Sequence, residues 1–410
     1  MRCLVVALSA ASLLGLACVA VALSADPPDV QAPALGAPDA QAAEVQPAVV
    51  GPPEIEATSA LVAYGETGEV IWSKRPRLKV PIASITKVMT ALLALDRSDP
   101  SEVVTVVPSA AKAGGATVGL EAGEKISVRD LLEATLIESA NDAANALASH
   151  VGAGRRKRFV RLMNQTAERL SLTDTTFVRA DGLDAPGHES SARDVLLLSR
   201  EAMENAQFRR LVRLRRARVT GHGVVETTND LLGVYPGLLG IKTGHTEEAG
   251  WSQVVAARRD GVFIYAVILG SPSREQRNAD LRELLDWGFS QYGRVTLVEA
   301  GRPYAKAGVP FEEERRLALV ADRSVSRVVR FDELLVERVV APSVIELPVT
   351  AGEVRGSVEI LKDGEVIAER RLVAAESIQT PNLQVRLGWY ARRTLSNART
   401  FVDSAREWLS

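Results

Sequence analysis

The sequence predicts an α+β core domain, then a small all-β domain and a C-terminal amphipathic helix. Three observations predict it. Strand-like runs open and close residues 58–292, while helical segments fill the middle. From residue 293 the chain turns to short β-type runs. The last thirty residues return to helical spacing, with an apolar side and many arginines.

Composition narrows the function. Of 410 residues, 46% are hydrophobic and 24% charged, an ordinary globular balance. Lys plus Arg total 49 against 51 acidic residues, so no whole-protein basic field exists and nucleic acid is not an expected partner. The two cysteines, Cys3 and Cys18, both lie in the N-terminal apolar segment. Once that segment is removed, no disulfide framework, thiolate zinc site or cysteine nucleophile is possible. His150, His188, His222 and His245 are scattered without zinc-motif spacing, so no metal or other cofactor is expected.

Residues 1–25 read as a secretory signal peptide: Arg2, an apolar run over 4–22, and Ala20-Val21-Ala22 for cleavage after Ala22. An uncleaved anchor is the alternative, because such a run can also span a bilayer. Lipidation at Cys18 fits less well, the leucine of Gly15-Leu16-Ala17-Cys18 standing one place off. Residues 26–57 are Pro/Ala-rich and aperiodic, an extended linker.

The domain over 58–292 starts with strands at 59–64 and 69–73 around Gly65-Glu66-Thr67-Gly68. A helix is predicted over 81–95 and mostly helical structure over 128–213. A meander follows at 237–243, 251–258 and 262–269, its last turn at Arg259-Asp260-Gly261. A helix over 273–289 packs back on the sheet. Runs at 295–298, 316–321, 325–331, 358–361 and 366–372 predict a small β-sandwich over 293–378. In residues 379–410, Leu387, Ala391, Leu395, Ala398, Phe401, Val402, Ala405, Trp408 and Leu409 keep helical spacing among several arginines. With Trp389 and Tyr390, this suits a membrane interface; the alternative is packing on the protein's own domain.

Three short motifs carry chemistry. Ser84-Ile85-Thr86-Lys87 places Ser84 and Lys87 on one helix face. The surrounding residues are apolar nearly all round, so Lys87 is expected to be buried and its ammonium disfavoured. A neutral lysine can then take the serine proton. Ser139-Ala140-Asn141 sits at a polar corner between two helical runs, where a hydroxyl relays protons and an amide holds a partner; the same residues also suit a helix cap. Lys242-Thr243-Gly244, followed by His245, ends a strand able to pair with an extended peptide. Each motif alone is weak; the ordered set is not, being the combination of serine β-lactamases and penicillin-binding proteins.

On these motifs the sequence resembles the low-molecular-mass penicillin-binding proteins, the serine-type D-alanyl-D-alanine carboxypeptidases. Asp181-Gly182-Leu183-Asp184, Ser190-Ser191-Ala192-Arg193-Asp194 and Trp287-Gly288-Phe289 extend the resemblance. It implies a β-lactamase/penicillin-binding-protein-like transpeptidase domain with Ser84, Lys87, Ser139 and Asn141 as catalytic residues. Lys242, Thr243, Gly244, His245 and Arg277 would bind substrate. It further implies a peptidoglycan stem peptide ending in D-Ala-D-Ala as substrate, β-lactams as covalent inhibitors, and an exported enzyme held on the membrane surface. A D,D-endopeptidase, a β-lactamase and a catalytically silent peptidoglycan-binding protein share these motifs and stand as alternatives.

Overall fold

The computed structural model describes residues 4–9, 51–392 and 394. The chain forms two compact units, one over residues 48–292 and one from Gly293 onward that also takes in Leu4–Ser9.

The first unit is built on a five-stranded antiparallel sheet. Its order is Val70–Lys74, Ser59–Tyr64, Val262–Ser271, Gly250–Arg259, Leu238–Thr246. Both faces are covered, which is why its strands read as continuous apolar runs and not as alternation. Leu61, Ala63, Val254, Ala256, Tyr265 and Val267 face the core shared with the helical middle. On the other face, Gly288 of helix Arg274–Ser290 packs so closely that an added Cβ would stand 3.0 Å from Val62. Asp260 and Gly261 both take positive φ, as a tight two-residue turn requires.

The middle departs from the expected layout in three places. The helix predicted over 81–95 is a 3₁₀ turn, Ala83–Thr86, followed by an α-helix, Lys87–Arg97. Ala83 has φ 47°, which an α-helix does not admit, so the first turn tightens. Residues 128–213 contain helices Val128–Glu133, Asn141–Val151, Arg156–Arg169, Ala192–Glu204 and Ala206–Val212, yet an irregular stretch interrupts them near Asp181. Two small two-stranded ladders, Val103–Thr105 with Lys125–Ser127 and the hairpin Arg216–Val219 with Gly223–Glu226, were not expected.

In the second unit, five strands run in the order Leu334–Val340, Val354–Lys362, Glu365–Ala374, Glu312–Ala321, Pro303–Val309. Tyr292–Val298 and Val325–Arg330 form a two-stranded sheet over the same core, in which Val298 and Val329 join Leu317, Val358 and Leu372. The predicted runs fall within strands except that 325–331 overshoots Val325–Arg330 by Phe331, and Pro303–Val309 and Leu334–Val340 were missed. The first contains Pro303 and Gly308, poor strand formers, and is held by pairing with Glu312–Ala321. Leu4–Ser9 lies antiparallel on the Leu334–Val340 edge, as an apolar segment does beside an open ladder. Cys3, Cys18, the cleavage site after Ala22 and most of the linker lie outside the described residues.

Residues 383–392 are helical, and the Asn382 side chain accepts the Val385 N–H at 3.0 Å. Leu383, Leu387 and Tyr390 are exposed, while Trp389 meets Phe311 edge-on at 5.5 Å. The rest of the predicted amphipathic helix, from Leu395 on, lies outside the described residues. Among the described residues no helix is long and apolar enough to cross a membrane.

Candidate active site

The site lies where the 3₁₀ turn, the 134–141 corner and the edge strand Leu238–Thr246 converge. A cleft of about 400 Å³ is lined by Ser84, Ser139, Thr243, Gly244, His245 and Arg277, among others. Lys87, Asn141 and Lys242 stand directly behind it through the hydrogen bonds below. All nine residues expected from sequence therefore come together.

Two glycines allow the nucleophile turn to fit. A Cβ on Gly244 would stand 2.8 Å from the Ile82 carbonyl oxygen and 3.1 Å from the Ser84 nitrogen. Gly182, at φ 84°, comes closer still, its notional Cβ 2.0 Å from the Ala83 oxygen. The turn is thus wedged between two backbones, which no longer side chain would permit.

Lys87 has no solvent exposure. Its Nζ is 2.6 Å from Ser84 Oγ, 2.6 Å from Asn141 Oδ1 and 2.7 Å from the Asp181 carbonyl oxygen. Burial drives its pKa down to about 7, against the opposing pull of Asp181. Three contacts suit either an ammonium with three donors or a neutral amine. In the neutral form two N–H groups serve Asn141 and Asp181, and the lone pair accepts the Ser84 hydroxyl proton. Asn141 is itself fixed, its Nδ2 donating to the Gly114 carbonyl at 2.7 Å.

Ser139 follows a π-helical turn, Ala134–Glu138, and adopts φ 67°. Such turns and left-handed non-glycine residues gather at functional sites because they aim one side chain at a local cost. The helix-cap alternative does not hold here: the cap position is Ala140, with no side-chain cap bond. Instead, Lys242 Nζ donates to Ser139 Oγ at 2.9 Å and to the Thr243 carbonyl at 3.0 Å. Burial, then the nearby Lys87 and Arg277 charges, hold the Lys242 pKa well below its ordinary value.

The far end of the cleft is cationic. Arg277 is buried, bonds Asp230 at 3.0 Å and lies 5.7 Å from the Trp251 ring centre. Burial lowers its pKa to about 10, so it stays charged at neutral pH. Arg274 also pairs with Asp230, so two guanidiniums face one carboxylate and leave net positive charge. His245 stacks on Trp251 at 3.9 Å. Thr243 Oγ1 meets Thr228 Oγ1 at 2.6 Å.

Thr228, Asp230 and Trp251 were not singled out from sequence. Thr227-Thr228-Asn229-Asp230 carried a visible polar cluster, but nothing local tied it to Thr243 or Arg277. Asp181 was quoted only as part of a motif. Its carbonyl contact to Lys87 is a backbone feature, invisible to side-chain reasoning.

A helix-backed antiparallel sheet with a serine–lysine pair facing a Lys-Thr-Gly edge strand defines the class of active-site-serine, penicillin-recognising enzymes. Comparison with known proteins gives the family. The D-alanyl-D-alanine carboxypeptidase family model matches residues 46–273. That of the penicillin-binding protein 5 C-terminal domain matches residues 292–380. The carboxypeptidase DacF of Bacillus subtilis is 30% identical over 336 residues, covering 79% of this chain and 86% of its own. Penicillin-binding protein 6B of Escherichia coli superposes with a TM-score of 0.59 at 28% identity, over 80% of this chain and 98% of that one. Ampicillin-bound penicillin-binding protein D2 of Listeria monocytogenes gives 0.53 at 32% identity, over 57% and 98%. The chain belongs to the D-alanyl-D-alanine carboxypeptidase family.

Proposed function

We propose that this serine D-Ala-D-Ala carboxypeptidase removes the terminal D-alanine of peptidoglycan pentapeptides through a Ser84 acyl-enzyme. The observation that carries the reading is the 2.6 Å contact between a fully buried Lys87 Nζ and Ser84 Oγ. Neutral Lys87 takes the Ser84 proton as Oγ attacks the carbonyl carbon of the penultimate D-alanine. Backbone N–H groups of Ser84 and His245 receive the oxyanion. As the C–N bond breaks, Ser139 passes its proton to the departing amine and is recharged with the proton that Lys87 took from Ser84, so Lys87 is neutral again, while Lys242 holds the Ser139 hydroxyl in place. Water then hydrolyses the ester, with Lys87 again as base. Asn141 keeps the Lys87 amine in register. Gly244 admits the substrate beside the edge strand. Thr243, supported by Thr228, and Arg277 take the terminal carboxylate, to which a guanidinium fork is suited.

β-lactams enter the same path as acylating inhibitors, as the ampicillin-bound Listeria relative suggests by likeness. The domain plan is an export signal over 1–25, a linker over 26–57, the peptidase over 58–292, a β domain over 293–378 and a membrane-associating helix over 379–410. This makes the enzyme extracytoplasmic and peripheral to the membrane. The exposed apolar residues Leu383, Leu387 and Tyr390, beside Arg386, support that last point. The test is release of D-alanine from a D-Ala-D-Ala peptide, with Ser84→Ala inactive; full release by that variant would refute the assignment.

A further inference from the structure

The groups behind the nucleophile include an ion pair that the reaction itself does not need. The Asp181 side chain is almost wholly buried, 2% exposed against 21% for Arg179. Arg179 grips it through both oxygens, Nε to Oδ1 at 2.5 Å and Nη2 to Oδ2 at 2.9 Å. Asn145 Nδ2 adds a bond at 2.8 Å and the Leu183 N–H one at 3.2 Å. The same residue's backbone carbonyl is the third acceptor of Lys87 Nζ, at 2.7 Å. Asp181 therefore touches the catalytic lysine with its main chain while its carboxylate is tied to the loop that carries it.

We propose that Asp181 and Arg179 are positioning residues for Lys87. Their buried pair locks the Asp181 carbonyl against Nζ, and their opposed charges set how readily Lys87 gives up its proton. The carboxylate favours the ammonium and the guanidinium disfavours it, so the pair acts as a matched bias. The other charged groups facing Lys87 are Asp142, on its own helix Asn141–Val151, and Lys242 on the edge strand. Asp142 is committed elsewhere, its carboxylate accepting the N–H groups of Gly119 and Leu120 at 3.0 Å each. His188 adds no charge. Its Nδ1 accepts the Val178 N–H at 3.0 Å, so the ring proton sits on Nε2, 2.8 Å from Thr86 Oγ1, and burial holds its pKa at about 4. Asp181 and Arg179 are thus the pair whose change moves Lys87 without removing a reacting group.

The inference rests on Lys87 serving as the base of Ser84. The experiment measures the benzylpenicillin acylation rate constant from pH 5 to 9 on the full chain, for wild type, Asp181→Asn, Arg179→Gln and Arg179→Lys. Asp181→Asn moves the acid limb toward lower pH by about half a unit or more and lowers the plateau, because the carbonyl is less firmly held. Arg179→Gln moves the limb the opposite way, and Arg179→Lys keeps it near wild type. Limbs that stay in place, or that move in the same direction for both charge-removing variants, overturn the proposal. A merely structural pair lowers the plateau alone. Should Asp181→Asn not fold, Arg179→Gln against Arg179→Lys decides. Failure of wild type to be acylated would instead refute the serine–lysine reading beneath it.

Discussion

Lys87 Nζ and Ser84 Oγ stand 2.6 Å apart, and the lysine is sealed from solvent. An ammonium there loses its hydration without gaining a carboxylate in direct contact, so the neutral form is reached near neutral pH. The activity, its pH dependence and part of the protein's stability all follow from that relationship.

The first prediction is the pH profile. With a Lys87 pKa of about 7, the neutral fraction rises from about a tenth at pH 6 to about nine-tenths at pH 8. Acylation should increase roughly tenfold over that range. A stopped-flow pH series with benzylpenicillin checks this; a flat profile would assign the base elsewhere.

Asn141 offers a signed test. Asn141→Asp places a carboxylate where an amide oxygen now sits 2.6 Å from Nζ. An anion there favours the ammonium, so the acid limb moves to higher pH and activity at pH 7 falls by about tenfold or more. Asn141→Ala lowers the plateau without that upward move.

Stability carries the same signature. Lys87 titrates lower in the fold than in the unfolded chain, so between pH 7 and the ordinary lysine value of 10.5 the unfolded state binds more protons. Its destabilising contribution is complete below about pH 7 and fades as pH rises toward 10.5. Lys87→Met removes it. Wild type should therefore gain stability relative to Lys87→Met by a few kcal/mol, on the order of 1.4 per unit of pKa displacement, between pH 7 and 10. Paired thermal melts measure the difference, and a constant gap would contradict it.

At the far end of the cleft, Arg277→Gln should weaken use of a D-Ala-D-Ala peptide by about a hundredfold in kcat/KM. The same change should matter much less for a terminal amide analogue. Equal losses on both would make Arg277 a structural partner of Asp230 only.

Deleting residues 384–410 should release the protein from membranes and leave peptide hydrolysis intact. Continued sedimentation with membranes would move the anchor to the N-terminal apolar segment.

Much of this was legible in the sequence where local rules suffice. The strands around Gly65–Gly68 and Asp260-Gly261 announced themselves by turn chemistry, and the helix expected over 273–289 is Arg274–Ser290, whose Ser273 cap the structure adds. The three motifs lay at positions that the chain brings together. What escaped was set by long-range packing. The 3₁₀ turn exists because Gly182 and Gly244 press on it from distant segments. Ser139 faces Lys242 because a π turn swings it there. Strand Pro303–Val309 has poor propensity and depends on its neighbour. The Asp181 carbonyl has no side-chain code.

The most direct test of the central claim is intact-protein mass spectrometry after benzylpenicillin, followed by peptide mapping. One adduct is expected, on the peptide carrying Ser84, formed slowly below pH 6 and absent in Ser84→Ala and Lys87→Ala. An adduct on another residue, or undiminished acylation of Lys87→Ala, would contradict it.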